Sequence, residues 1–533
     1  MFQLVKQVAD FPNVIYVLVM DREVVCNALT EVHKFDGSEY LEKIIQVPFM
    51  LPEIKKSKLN NIFFRRLDWI INKLPTKVEW DKFYWGEIFE NCVNPYIHTL
   101  RDINRVINTF QFRYGALYQE TSFEDMVGMT TLEVMVPELY NWIGENKETV
   151  CGGFKYSFLS NSSKKPDYRK LYYDEFTRLG INPELAIRCI ATMFPVFAKD
   201  VNEFQHYYKP SSNVRAQMRA AHEEKFDLYF MFDFDDVKVP RSMINACIYE
   251  LERAELLEVI KDINEQGGIV YFLEELRSLV DNIPYERLEP IASVILTLQG
   301  GFNGEDTQVV FRRSAGDIAE YLSIDMINRL NTEKEKYEII RNAVTNANTT
   351  GIGTMARIIN RIELAYGRLA GNSVKEEAQI ISLEHLEELE KIYAERIQTL
   401  AYTEQILDMN GFNIAFYLWK SLDAEGVLKY LDKAFECDAN KLRFICAMAG
   451  QWYGTGGSGW GFHPGNYSEY ISQDEVYNLI QNLDKNMLDE FTETQQIQLA
   501  SFVLNYQESE MKNANEEEAQ KLVDEWKSGK KTR

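Results

Sequence analysis

What this 533-residue sequence lacks narrows its reading first. It contains no GxxxxGK(S/T), so no stretch of it is the usual glycine-rich loop that cradles a nucleotide's phosphates. Its seven cysteines form no CxxC pair and its six histidines no HExxH, which argues against structural zinc and zinc-protease chemistry and fits a reducing compartment. No apolar run approaches the roughly 20 residues of a transmembrane helix. The opening MFQLVKQVAD has no basic segment followed by an apolar core, so it is not a signal peptide. No fixed period recurs, which excludes a regular repeat array.

Charge of one sign is also missing where it would matter. The formal net charge is −23, yet up to Phe110 there are 14 Lys+Arg against 14 Asp+Glu, so the whole excess of acid lies downstream. An acidic surface repels phosphate backbones, and general nucleic-acid binding is not expected. The same acidity keeps a large helical surface soluble. The length allows several domains, and 46% apolar residues suffice for large cores.

What is present centres on Asn13 to Pro52, NVIYVLVMDREVVCNALTEVHKFDGSEYLEKIIQVPFMLP. Val14 to Met20 is seven apolar residues without a break, rich in β-branched side chains and without alternation. That pattern predicts a strand covered on both faces, as in a parallel sheet between helix layers. It stops at Asp21-Arg22-Glu23, and ligands of open α/β sheets sit beyond the carboxyl ends of strands. Such a strand needs neighbours, and the residues ahead of it supply none. The expectation is that the sequence begins inside a domain, as a late start codon, a frameshift or a split gene would produce.

VIYVLVMDREVV, followed by YLEKIIQVPFMLP and, in the same order and spacing, by LRDINRVINTF from Leu100 to Phe110, resembles the distal half of the nucleotide-binding module of KAP-family P-loop NTPases. The resemblance covers the first fifth to quarter of the chain. It implies ATP and Mg2+ as cofactors, although the family's phosphate loop and acidic strand lie upstream of the matched stretch. It also implies roles in bacterial defence against phage or in signalling scaffolds at membranes.

Under that resemblance Asp21 occupies the place of a first-sensor residue that reads the γ-phosphate or its attacking water; Asp there suits a helix N-cap equally well. Arg101 and Arg105 are four apart and share a helix face. Two guanidiniums so placed can clamp phosphate oxygens, and the family assigns this helix a second-sensor or arginine-finger role. The alternative is a surface helix making salt bridges. Glu42, Lys43 and Gln46 form a narrow polar stripe among Ile44, Ile45 and Val47, suited to contact a nucleotide or a neighbouring subunit, or simply to face solvent. Arg65 and Arg66 could reach a neighbour's phosphate.

Other motifs read more plainly. Gly454 to Gly459, GTGGSG, satisfies GxGxxG, but it follows a helical stretch, so it reads as a glycine loop between helices. His463 beside it has no partner acid or thiol at motif spacing. Asp233, Asp235 and Asp236 read as an acidic turn without a second oxygen cluster to complete a metal site.

Helices are predicted over Glu23–Val32, over Glu39–Gln46 with Ser38 as cap, over Lys55–Leu74, over Asn91–Leu117 starting at Asn94-Pro95, and over Phe123–Trp142 with a break near Pro137. Ser160 to Asp167 and Tyr208 to Val214 read as linkers around a helical Tyr168–Ala198. Phe226–Asp236 reads as a strand or packed extended segment. From Pro240 on, 3.6-residue periodicity suggests stacked helical hairpins, and the charged tail beyond Glu508 is expected to fray.

The expected fold class is mainly α: an α/β P-loop remnant and helical lid over 1–150, a helical connector over 151–235, a large α-helical region over 236–508 and a tail over 509–533. The expected function is the C-terminal portion of a KAP-like ATPase acting as a nucleotide-dependent switch, inactive alone for want of the phosphate-binding motifs. The alternative is a non-enzymatic helical scaffold. Expected partners are a second copy or a complementary N-terminal NTPase segment, plus a protein that meets the helical region. The expected location is cytoplasmic, with membrane association only through a further upstream segment.

Overall fold

Many helices of this chain begin on a short polar residue whose side chain takes up a backbone N–H that the first turn leaves over. The computed structural model describes residues 13–33, 36–50, 52, 54–152, 167–203, 214–231, 237, 239–306, 313–368, 373–454, 457–483, 485–507 and 514–528. Within these, Thr99 and Asp102 close a capping box ahead of Leu100–Leu117. Ser314 with Asp317, Thr332 with Glu335, and Asn515 with Glu518 do the same ahead of Ala315–Asn328, Glu333–Asn346 and Glu516–Lys527. Ser122, Asn182 and Ser382 cap Phe123–Met135, Pro183–Met193 and Leu383–Thr403 singly.

The described residues are mainly α-helical, as the periodicity predicts. Their strands are two short antiparallel pairs, Glu305–Asp306 with Arg313–Ser314 and Gly450–Gly454 with Gly457–Gly461. Buried apolar side chains collect into two cores. One runs from Leu59 to Tyr229, where Leu100–Leu117 turns Ile103, Val106, Phe110, Tyr114 and Leu117 inward. The other runs from Val239 to Val523. There Tyr285–Leu298 packs on Ala315–Asn328, Glu333–Asn346 on Leu383–Thr403, and Ile352–Ala365 on Phe412–Leu422. The last crossing is close enough to need glycine: a Cβ on Gly353 would lie 2.6 Å from the Asn410 carbonyl oxygen.

Several local expectations change. Val14 to Met20 has no regular secondary structure, and Ile15, Val17 and Val19 are 90%, 83% and 87% exposed. A strand exists only by pairing, and no strand among the described residues lies beside it. Asp36, not Ser38, caps the next helix, which is the short Gly37–Glu42. The long arginine-bearing helix starts at Leu100 rather than at Asn94, because Thr99 supplies the cap; Phe89–Val93 is a separate π-helical turn.

The described residues of the GTGGSG stretch, Gly454 and Gly457 to Gly459, lie on paired β-strands rather than in a loop between helices. A Cβ on Gly459 would fall 2.4 Å from the Ala514 carbonyl oxygen, so the glycines let the strand pair press on the chain before the last helix. That helix, Glu516–Lys527, does not read as a fraying tail: it buries Ala519, Leu522 and Val523 and packs on Glu493–Gln507. Phe226 ends a short helix and Asp227–Tyr229 forms a 3-10 turn. Most of the two linker stretches, and Asp233, Asp235 and Asp236, lie outside the described residues.

Candidate functional site

The residues singled out in the sequence occupy two separate places. Asp21 caps Arg22–His33: its Oδ1 accepts from the backbone N–H of Glu23 at 3.0 Å and of Val24 at 3.2 Å. Glu42 lies 3.7 Å from Arg22 in an exposed pair, Lys43 is the C-cap of Gly37–Glu42, and Gln46 is exposed. Arg101 and Arg105 project from the exposed face of Leu100–Leu117. Arg105 donates through Nη2 to the Val134 carbonyl at 2.8 Å. Arg66 donates to Asn104 on the same helix, and Arg65 to the Asn61 carbonyl at 3.4 Å. His463 accepts from the Gly465 N–H. Among the described residues no hydrogen bond or ion pair joins Asp21, Glu42, Lys43 or Gln46 to Arg101 or Arg105.

The Leu100–Leu117 helix carries a third arginine that sequence reasoning passed over. Arg113 is fully buried. It donates to Glu133 Oε2 at 2.5 Å, to the Tyr140 hydroxyl at 2.8 Å, and to the carbonyls of Tyr229 at 2.7 Å and Met231 at 3.0 Å. The signal was available: position 113 falls three after Phe110 and seven after Val106, on the apolar stripe.

Arg113 leads to a buried polar constellation, a clasp where the two cores meet. Its centre is Glu275 on Ile269–Ser278, fully buried beside Phe272 and Leu276. Its Oε1 lies 3.0 Å from Arg215 and 3.4 Å from the buried ammonium of Lys225, and its Oε2 lies 2.8 Å from Arg241. Lys225 also donates to the Tyr271 hydroxyl at 2.5 Å, and Arg215 pairs with Glu224. From the first core, Glu120 accepts from the Arg241 backbone N–H at 2.6 Å.

Residues 214–231 therefore form a strap pinned on both sides. Its Ala220 N–H donates to Asp125 Oδ2 at 2.8 Å, and its Tyr229 hydroxyl accepts from the Ser122 N–H at 2.8 Å. Arg219 lies over the Tyr84 ring, whose hydroxyl donates to Asp125. Burial pushes the Lys225 ammonium down, opposed by Glu275 and Glu120, and pushes the Asp125 carboxyl up, opposed by Arg219. Burial, aided by Arg215 and Lys225, lowers His222 to about 3, so this imidazole is neutral and accepts from the Glu224 N–H. Charges this well buried hold only while their partners stay in place.

The described residues do not by themselves fit a Mg2+–triphosphate. The phosphate-loop motif is absent from the sequence, the carboxylate oxygen of Asp21 that faces its helix is engaged as a cap, and among the described residues no three His, Cys, Asp or Glu side chains converge on a metal position. No helix among them is long and apolar enough to cross a membrane.

With the arginine helix and the flanking segments in place, the first part of the chain can be set beside known proteins. Residues 1–117 match the model of the KAP family P-loop domain, so the likeness carried by the Val14, Tyr40 and Leu100 segments holds over that stretch. The chain is also similar to the phage T7 exclusion protein of Escherichia coli (strain K12), 29% identical over 144 residues. That match takes in 26% of this chain and 19% of the relative, so the chain matches about a fifth of the relative's length. No solved structure matches.

Proposed function

We propose that the chain is the sensing and effector part of a KAP-like nucleotide-dependent switch that acts in defence against phage. The observation that carries this reading is the family match over residues 1–117, supported by the likeness to a protein named for phage exclusion. Nucleotide and Mg2+ use follow from the family in general. Because this sequence has no GxxxxGK(S/T), the phosphate cradle comes from a complementary module or partner chain, and this chain alone does not hydrolyse ATP. The switch works in the cytoplasm.

The chain's own part is transmission. Arg101 and Arg105 stand on the exposed face of Leu100–Leu117 as the groups that respond to charge. Arg113, on the inner face, ties the same helix to the carbonyls of Tyr229 and Met231 at the end of the strap. The strap carries Arg215 and Lys225 to Glu275 in the second core. A displacement of the helix is thus felt at the clasp, which relays it to the helical region.

The experiment is phage challenge of cells expressing the intact system with Arg101→Ala/Arg105→Ala. Loss of exclusion with unchanged protein level and helical content is expected. Full exclusion by the double variant would leave a helical scaffold as the better reading, one that the capping role of Asp21 already suits. Calorimetry on the purified chain is expected to show no micromolar ATP binding that is lost in Arg101→Ala/Arg105→Ala, and such binding would overturn the claim that the cradle is supplied from elsewhere.

A further inference from the structure

On the second core, far along the chain from the matched region, three arginines from three segments gather around one ring. Tyr321 stands on the solvent face of Ala315–Asn328, 40% exposed, while Ile318, Ala319 and Leu322 of the same helix are buried. The guanidinium carbons of Arg361, Arg277 and Arg313 lie 4.9, 5.8 and 6.0 Å from its centroid. Arg277 comes from the last turn of Ile269–Ser278, Arg313 from the strand residue before the Ser314 cap, and Arg361 from Ile352–Ala365.

These guanidiniums are poorly used within the protein. Arg277 approaches Asp325 and Glu274 only to 3.9 and 4.0 Å, and Arg361 approaches Glu320 to 3.5 Å. None of these contacts is a hydrogen bond, and Arg313 makes no ion pair among the described residues. Neighbouring arginines contrast with them: Arg357 reaches Asp317 at 2.5 Å and Arg368 reaches Glu390 at 2.6 Å. Each guanidinium carries five N–H donors in a planar fork suited to carboxylate or phosphate oxygens. Gathering three like charges is unfavourable, and the π face of Tyr321 offsets part of that cost.

We infer that Arg277, Arg313 and Arg361, held together by Tyr321, form a binding site for a compact phosphate group of a small molecule. The nearby carboxylates of Glu274, Glu320 and Asp325 match the three cations in number. The cluster therefore projects little long-range positive field, and the chain around it is acidic. That disfavours a long polyanion such as nucleic acid, whose binding depends on net cationic charge. A small phosphate is recognised instead at short range, by hydrogen bonds to donors that the protein leaves open.

The test is titration calorimetry of the full chain with inorganic pyrophosphate and, separately, ATP. Saturable binding is expected, weakened at least tenfold in Arg313→Gln and lost in Arg277→Gln/Arg313→Gln/Arg361→Gln. Binding unchanged in Arg341→Gln, a surface arginine paired with Glu338, is expected too. Arg313→Gln breaks no ion pair among the described residues, so it carries the test should the triple variant fail to fold. No binding of either probe at millimolar concentration, or binding indifferent to Arg313→Gln, overturns the proposal. Arg101→Ala/Arg105→Ala is expected to keep the binding, so this site and the proposed switch fail separately.

Discussion

Removing one member of a buried charge cluster leaves the others without compensation, so single side chains at the clasp are expected to matter more than any surface pair. Glu275→Gln strips the carboxylate from Arg215, Lys225 and Arg241 at once, and a loss on the order of 3–5 kcal/mol is expected by chemical denaturation. Replacing both Glu275 and Lys225 by apolar residues of similar size is expected to recover part of it. A loss within the scatter of surface substitutions would mean that water reaches the cluster. A second residue-scale expectation concerns Glu363. Burial, with Glu390 beside it, pushes its carboxyl from 4.5 up to about 7. The folded state then binds this proton more tightly than the unfolded state, so the stability it contributes is complete below about pH 4.5 and is lost as pH rises to about 7. Glu363→Gln is expected to flatten that fall, read as the change in thermal midpoint between pH 5 and pH 8.

At the scale of elements, the helix that carries Arg101 and Arg105 depends on its first turn. Thr99 accepts from the Asp102 N–H at 3.2 Å, and Asp102 accepts from the Thr99 N–H at 2.8 Å. Burial pushes the Asp102 carboxyl up, but the hydrogen bonds it accepts from the His98 and Thr99 N–H groups outweigh that and hold it below its usual range. Thr99→Ala is expected to cost about 1 kcal/mol and to raise amide exchange in the first turn beside Arg101, with the far end of the helix unchanged. Elements of this kind were legible in the sequence wherever apolar periodicity and a cap coincided, as in Phe123–Met135 with its break at Pro137. The tail helix was equally legible in principle, since Ala519, Leu522, Val523 and Trp526 keep helical spacing, but its charge hid it. What could not be read was tertiary: that Arg113 would reach the Tyr229 carbonyl across more than a hundred residues, that Lys225 would pair with Glu275, or that Gly459 faces the Ala514 carbonyl. Long-range polar pairing leaves no local period. Asp21 shows the opposite case, where both roles were visible and the structure displays the cap.

At the scale of the whole molecule, two cores joined by a polar clasp leave the apolar run from Val14 to Met20 outside both. Along Val14 to Met20 the exposure alternates: Ile15, Val17 and Val19 are nearly bare, whereas Val14 and Tyr16 are 50% and 44% exposed. Side chains of an extended segment point alternately to opposite faces, so the run presents one apolar face, and no partner strand for its backbone lies among the described residues. Burying a large apolar side chain is worth about 1.5–3 kcal/mol, so covering even the three barest ones is a sizeable drive to associate. A further strand, from a second copy or from a complementary NTPase segment, would satisfy both the backbone and the apolar face. The purified chain is therefore expected to self-associate through this end in a concentration-dependent way by size-exclusion chromatography. Val17→Lys/Val19→Lys places two charges on the bare face at no cost to the cores, and is expected to shift elution to the monomer while leaving the helical content unchanged. If the unsubstituted chain already elutes as a monomer, with amides 14 to 20 strongly protected from exchange, then residues of this same chain cover the run and the association does not occur.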